Sequence, residues 1–288
     1  MKGTFWNILA TLALTLMLVS CVKDNGNDSP SQEKPGTEEQ KPEEPKPEEP
    51  KPEEESKPEI IFKLECDWAE GDAVGVYAYD AESNDLVFGN KKLIFDGTGW
   101  AGDKLCWEKD SLKFYAYYPY DENIADPAAI SFNVKEDQSG ENEYRLSDFL
   151  MARSKDGVKI GKEVKLEFRH ECAMIQVEVP ESKYWNIDKK LEVSLCGVGI
   201  SAEINLLEDS DASATTAETK GPVGNVKMCL VEKPGDEGKK YIYRAVIPVQ
   251  TLKGGSTLFS YVTDGKEFKL GGPVEDCALN AADVKVFN

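Results

Sequence analysis

From Ile60 onward the chain keeps breaking into short apolar stretches, each stopped by Gly, Asp or Pro before a helix could build three turns, and that spacing points to an all-β fold. Residues 73–79 show the pattern best. Val74, Val76 and Ala78 alternate with Gly75, Tyr77 and Tyr79 behind a Gly71-Asp72 turn, a period of two rather than 3.6. Residues 91–95 run into Asp96-Gly97, and the aromatic-dense stretch 111–118 stops at Pro119. The same grammar recurs over 164–179, 191–198, 227–231, 241–249, 257–262 and 284–287, with turns such as Asp264-Gly265 and Gly271-Gly272-Pro273 between. Only 146–152 suggests a short helical turn, and the Ala/Ser/Thr-rich stretch 209–219 reads as a mobile loop. Many short strands at this spacing predict antiparallel β-sandwiches rather than a parallel α/β sheet.

The first 59 residues obey a different rule. Lys2 is followed by an apolar run over 5–19, then Ser20 and Cys21, the order of a signal peptide occupying 1–21. The run is shorter than the roughly 20 residues a membrane-crossing helix needs. Leu18-Val19-Ser20-Cys21 has the form of a lipobox, in which a cysteine is required because its thiol attacks the lipid donor as a nucleophile. Lipid on Cys21 would attach the chain to a membrane. The competing reading is an ordinary secretory signal with a chance cysteine. Residues 22–59 repeat Lys-Pro-Glu-Glu-Pro and hold no aromatic or branched apolar side chain after Val22, so they predict a disordered spacer with polyproline II character. A proline-rich ligand for another domain is the alternative use of such a segment. With 53 acidic against 34 basic residues and a net charge of −19, the chain repels phosphate backbones, and nucleic acid is not an expected partner.

Residues able to carry chemistry are sparse. The single histidine, His170, falls among apolar neighbours and is expected to be packed and hydrogen-bonded rather than a catalytic base. No Gly-x-Ser-x-Gly elbow and no Gly-rich phosphate loop occurs, so neither an enzyme nor a cofactor is expected. Beyond Cys21 lie Cys66, Cys106, Cys172, Cys196, Cys229 and Cys277, far apart and without a Cys-x-x-Cys pair, which argues against zinc. Six thiols in an exported chain allow fifteen pairings, and a buried free cysteine acting as a small hydrophobe is the other option. Glu208-Asp209-Ser210-Asp211 offers carboxylates to calcium without EF-hand spacing, and reads better as a solvated loop, so no metal is expected. Trp68, Trp100, Trp107 and Trp185 are expected inside the sandwiches, although exposed aromatic rings could instead stack on sugars.

Trp68-Ala69-Glu70-Gly71-Asp72 leading into Val74-Gly75-Val76-Tyr77-Ala78, then Phe114-Tyr115-Ala116-Tyr117-Tyr118-Pro119-Tyr120, resembles the first domain of fimbrillin-like proteins, the type V pilin family of Gram-negative anaerobes. Asp137-Gln138-Ser139, Asp148-Phe149-Leu150-Met151-Ala152, Leu166-Glu167-Phe168-Arg169-His170 and Tyr243-Arg244-Ala245-Val246-Ile247-Pro248 follow in that family's order. The resemblance implies two transthyretin-like sandwiches, 60–182 and 183–288, displayed on the outer membrane as a structural or adhesive subunit. It also implies that the first strand, with Ile60, Ile61, Phe62 and Leu64, plugs an acceptor groove that a neighbouring subunit fills by β-strand addition once an arginine-specific protease removes the plug. The first arginine here is Arg145, well inside the first domain, so the sequence leans towards a subunit that keeps its lipid on Cys21 as an anchor or stand-alone adhesin. A cut after a lysine of the Lys-Pro-Glu repeats stays open, and a glycan-binding surface lipoprotein on the same scaffold is the second reading. Surface ligands of host or bacterial origin are the expected partners beside other subunits.

Overall fold

The computed structural model describes residues 57–180, 191–208, 217–219, 221–233 and 240–288. Cys21, the spacer before Lys57, Trp185 and most of the loop 209–219 lie outside them. The first half contributes β1 (Phe62–Glu65), β2 (Ala73–Asp80), β3 (Leu86–Phe95), β4 (Trp100–Gly102), β5 (Ser111–Tyr118), β6 (Ile130–Asn133), α1 (Glu141–Arg145), β7 (Leu150–Arg153), β8 (Val158–Lys159), β9 (Val164–Glu167) and β10 (Arg169–His170). The second contributes β11 (Cys172–Pro180), β12 (Glu192–Gly199), β13 (Ser201–Ile204), β14 (Ala217–Thr219), β15 (Val223–Lys227), β16 (Cys229–Glu232), β17 (Lys240–Pro248), β18 (Thr251–Leu252), β19 (Thr257–Thr263), β20 (Lys266–Gly271), β21 (Cys277–Ala278) and β22 (Val284–Phe287). The fold is all-β.

A seven-stranded sheet runs β10-β7-β5-β2-β3-β4 with β8 on β5, and the β1-β9 pair covers one of its faces. The second half sets β16-β17-β11-β22 against β15-β12-β19-β20 across a core that includes Ile175, Ile247, Leu195 and Phe259. Alternation on the central strands separates two cores rather than core from solvent. Val76, Ala78, Phe114 and Ala116 enter the core under β1, whereas Tyr77, Tyr117, Phe149 and Met151 join the core of the second half. The tyrosines have the length to cross between sheets while their hydroxyls find partners at the edge: Tyr77 donates to Ile124 O at 3.0 Å and Tyr117 to Asn90 Oδ1 at 2.7 Å. A third sheet, β14-β13-β6, joins strands from both halves, and residues 54–288 form one compact unit.

Several local expectations change, and the open question of the cysteines is answered. The run 164–179 is three strands, because the chain leaves the first sheet at Glu171, whose carboxylate is 1% exposed and takes a 2.6 Å bond from Arg169 Nε. Beyond that break β11 pairs with β17 and β22, so it belongs to the sheets of the second half. Similarly, Met228 interrupts 227–231 by donating its N–H to Val193 O at 2.8 Å. The helix lies at 141–145, with Glu141 and Glu143 in its first turn and Arg145 in its last, matching the helix dipole, while 150–153 is strand. The six cysteines after Cys21 are free thiols, and burial raises the Cys172 thiol well above its usual range. Two of the strand pairs, β1-β9 and β11-β22, are parallel.

Candidate strand-acceptor site

The segment 57–65 is held from both sides. Trp107 N–H donates to Pro58 O at 2.9 Å and Ile60 N–H to Leu105 O at 2.8 Å on one flank. On the other flank β1 lies parallel to β9, with Val164 N–H donating to Ile61 O at 2.8 Å and Phe168 N–H to Glu65 O at 3.1 Å. The in-register residues are Phe62 with Val164, Lys63 with Lys165, Leu64 with Leu166 and Glu65 with Glu167. Like charges therefore sit side by side. The 2.6 Å ion pair of Lys63 with Glu65 offsets this, lowering the Glu65 carboxyl and raising the Lys63 ammonium.

The side chains predicted to plug the groove divide by face. Ile60 and Leu64 are 5% and 6% exposed, Phe62 is half-buried, and Ile61 is 64% exposed and points to solvent. Phe62 meets Phe114 edge to face at 5.6 Å, and Phe114 meets Trp107 at 5.9 Å. Phe114, Val76 and Ala116, fully buried, belong to the apolar floor that the segment covers, and Val164 and Leu166 continue the covering layer beside it. Trp68 closes the far end. Its Nε1 donates to Leu64 O at 3.0 Å while its ring packs edge to face on Trp100 and Phe168. Leu105, Trp107 and β9 were not assigned to the site on sequence, and one signal was available: Val164-Lys165-Leu166-Glu167 repeats the Lys-Leu-Glu of β1.

Beside this groove Asp72 takes bonds from Ala69 N–H at 2.8 Å, Tyr118 OH at 3.2 Å and the Arg145 guanidinium. An open cleft of about 480 Å³ lies here, lined by Glu70, Asp72, Tyr118, Tyr120, Glu141 and Arg145 among others. Asp72 and Arg145 neutralise each other, so this pair fixes the turn before β2 against α1, while Glu70 and Glu141 leave the cleft acidic. His170 differs from expectation: it is about half exposed, and its Nδ1 lies 2.7 Å from Asp148 Oδ2, which raises its pKa. The nearby Cys172 is no nucleophile, since its thiol is fully buried and held protonated. Trp107 is 1% exposed, and the rings of Trp68 and Trp100 stand at 87° to each other, which is a packed corner and not a flat platform for a sugar.

The family model described as fimbrillin-like matches residues 64–282. The chain belongs to the fimbrillin-like family. Among its fimbrillin-like relatives, a Bacteroides uniformis protein assigned as fimbrium subunit Fim1C is 26% identical over 165 residues, 53% of each chain. A Bacteroides ovatus protein assigned as fimbrium tip subunit Fim1C is 21% identical over 190 residues, 60% of this chain and 36% of its own. The chain thus spans about half the length, or less, of these relatives. A crystal structure of a Bacteroides ovatus protein assigned to cell adhesion superposes with a TM-score of 0.58 at 13% identity, covering 77% of this chain and 87% of the other, and shows the same fold.

Proposed function

We propose that this fimbrillin-like chain is a lipid-anchored surface subunit of a fimbrium or adhesive structure, exported to the outer membrane through lipid on Cys21, whose first strand stays in its own acceptor groove. The reading takes the folded part as two transthyretin-like sandwiches on a shared core, and it makes the chain a base anchor or stand-alone adhesin. The observation that carries it is the seating of 57–65 between Leu105 and Trp107 on one flank and β9 on the other, over a floor that includes Phe114, Val76 and Ala116. Removing that segment would leave backbone groups on Leu105, Trp107, Val164 and Phe168 without their partners beside a bare apolar floor, which is the geometry a donated strand satisfies. The fimbrium assignments of the two Fim1C relatives support a place among such subunits.

Deletion of 57–65 tests the groove. The variant is expected to self-associate, and a synthetic peptide of 57–65 added in excess is expected to return it to monomer, both read by light scattering. A deletion variant that stays a folded monomer without the peptide would contradict the groove.

A further inference from the structure

Release of the first strand from the lipid requires a peptide bond to break between Cys21 and β1, and before β1 proteases that cut after basic residues find only Lys23-Asp24 without a following proline. Between Asp24 and Phe62 there is no arginine, and every lysine is followed by proline: Lys34-Pro35, Lys41-Pro42, Lys46-Pro47, Lys51-Pro52 and Lys57-Pro58. A proline on the leaving side of the scissile bond removes the N–H, makes the amide tertiary and fixes φ, and its ring crowds the residue before it out of many backbone conformations. A trypsin-type enzyme forms an acyl-serine by expelling the amine on the leaving side, and a tertiary ring nitrogen with its bulky pyrrolidine crowds that side, so such a bond is cut poorly.

The first lysine past this run that is not followed by proline is Lys63, and the structure disposes of it differently. Lys63 sits inside β1, with Leu64 6% exposed after it and β9 paired along its length, so its bond is reached only when β1 detaches. The arginines are equally occupied. Arg145 in α1 binds Asp72, Arg153 in β7 binds Glu208 O, Arg169 in β10 binds Glu171 at 2.6 Å and Arg244 in β17 binds Gln176 at 2.9 Å. Lys23-Asp24 is the exception, two residues beyond Cys21, and a cut there leaves the whole spacer attached to the first strand.

We propose that the spacer and first strand form a segment guarded against cleavage after basic residues, by proline at each spacer lysine and by strand pairing at Lys63. This rests on the reading that the first strand is retained, and it names how retention is secured against enzymes that cut after basic residues. Glutamate stands at many spacer positions without such protection, so the guard is specific for one protease class.

The full mature chain, digested with trypsin under native conditions and then with a glutamate-specific protease, tests this by mass spectrometry of new N-termini. Trypsin is expected to yield no N-terminus at Pro35, Pro42, Pro47, Pro52, Pro58 or Leu64, while the glutamate-specific enzyme cuts the spacer freely. Changing the five prolines to alanine is expected to turn absent tryptic cutting into complete cutting of the spacer while Lys63-Leu64 stays whole. Tryptic cutting at the Lys-Pro bonds of the natural chain, or a five-proline variant that still resists, would overturn the proline guard. Native cutting at Lys63-Leu64 would overturn the strand guard. A protected spacer combined with a monomeric 57–65 deletion would retain the guard and remove the groove.

Discussion

At Gln138 one buried side chain does the work of a strand. It is fully buried, donates from Nε2 to Val246 O at 2.8 Å and accepts from Val246 N–H at 2.9 Å, continuing the edge of β17 beyond the end of β16. Gln138→Ala leaves a buried amide N–H and C=O unpaired, and is expected to cost about 1–3 kcal/mol in chemical denaturation. His170 carries a pH dependence. Asp148 raises its pKa, the protonated form is favoured in the fold, and the stabilisation is complete below about pH 6.5 and lost as pH rises through the raised value. Tyr144, Cys172 and Asp283 line the same small cavity, and of these only Asp283 adds a charge. Because His170 is half exposed, the effect is roughly a few tenths of a kcal/mol. The melting advantage over His170→Gln should therefore show near pH 5.5 and vanish near pH 8.5; an advantage that grows with pH would contradict this. Neither role was legible in sequence. Asp137-Gln138-Ser139 resembled a family motif, but a partner 108 residues away leaves no local trace. His170 read as packed because the run around it holds Leu166, Phe168 and Cys172, whereas it sits between Arg169 and Glu171 and closes β10 on the solvent side.

At the scale of elements, strand positions were readable wherever local patterning suffices. Residues 111–118 and 284–287 are strands as the sequence suggested, and the aromatic run does pack as core. What local pattern cannot specify is which sheet a strand joins, since strand-like mixing of apolar and polar residues continues through 164–179 across a change of sheet. Parallel pairing of β1 with β9 was invisible for the same reason, being set by contacts some hundred residues apart. The site divides similarly: Ile60, Phe62 and Leu64 were placed on the covering strand, but Ile61 faces water. Leu64→Ala is accordingly expected to lower stability by about 2–4 kcal/mol and to speed exchange of the β1 amides, whereas Ile61→Ser is expected to change it by under about 0.5 kcal/mol. Thermal unfolding with hydrogen exchange reads both; equal effects would mean that the faces are assigned wrongly.

Across the whole molecule, the tyrosine face of β2 and β5 ties the halves together. Tyr77, Tyr117, Phe149 and Met151 belong to the same core as Ile175, Tyr243 and Phe259, so neither half can keep its interior dry alone. Residues 57–288 are expected to unfold in one calorimetric transition, and 172–288 expressed alone is expected not to fold; two separate transitions would show independent halves. Composition announced the division into spacer and β region but not this shared interior, because alternation looks the same whether its second face meets water or another core. Retention of the first strand is tested most directly by the state of the N-terminus in outer-membrane fractions, read by mass spectrometry of the native protein. Lipidated Cys21 on chains that retain the spacer and β1 is the expected result. A new N-terminus between Glu59 and Cys66 would contradict it, placing the protein among subunits whose first strand is cut away.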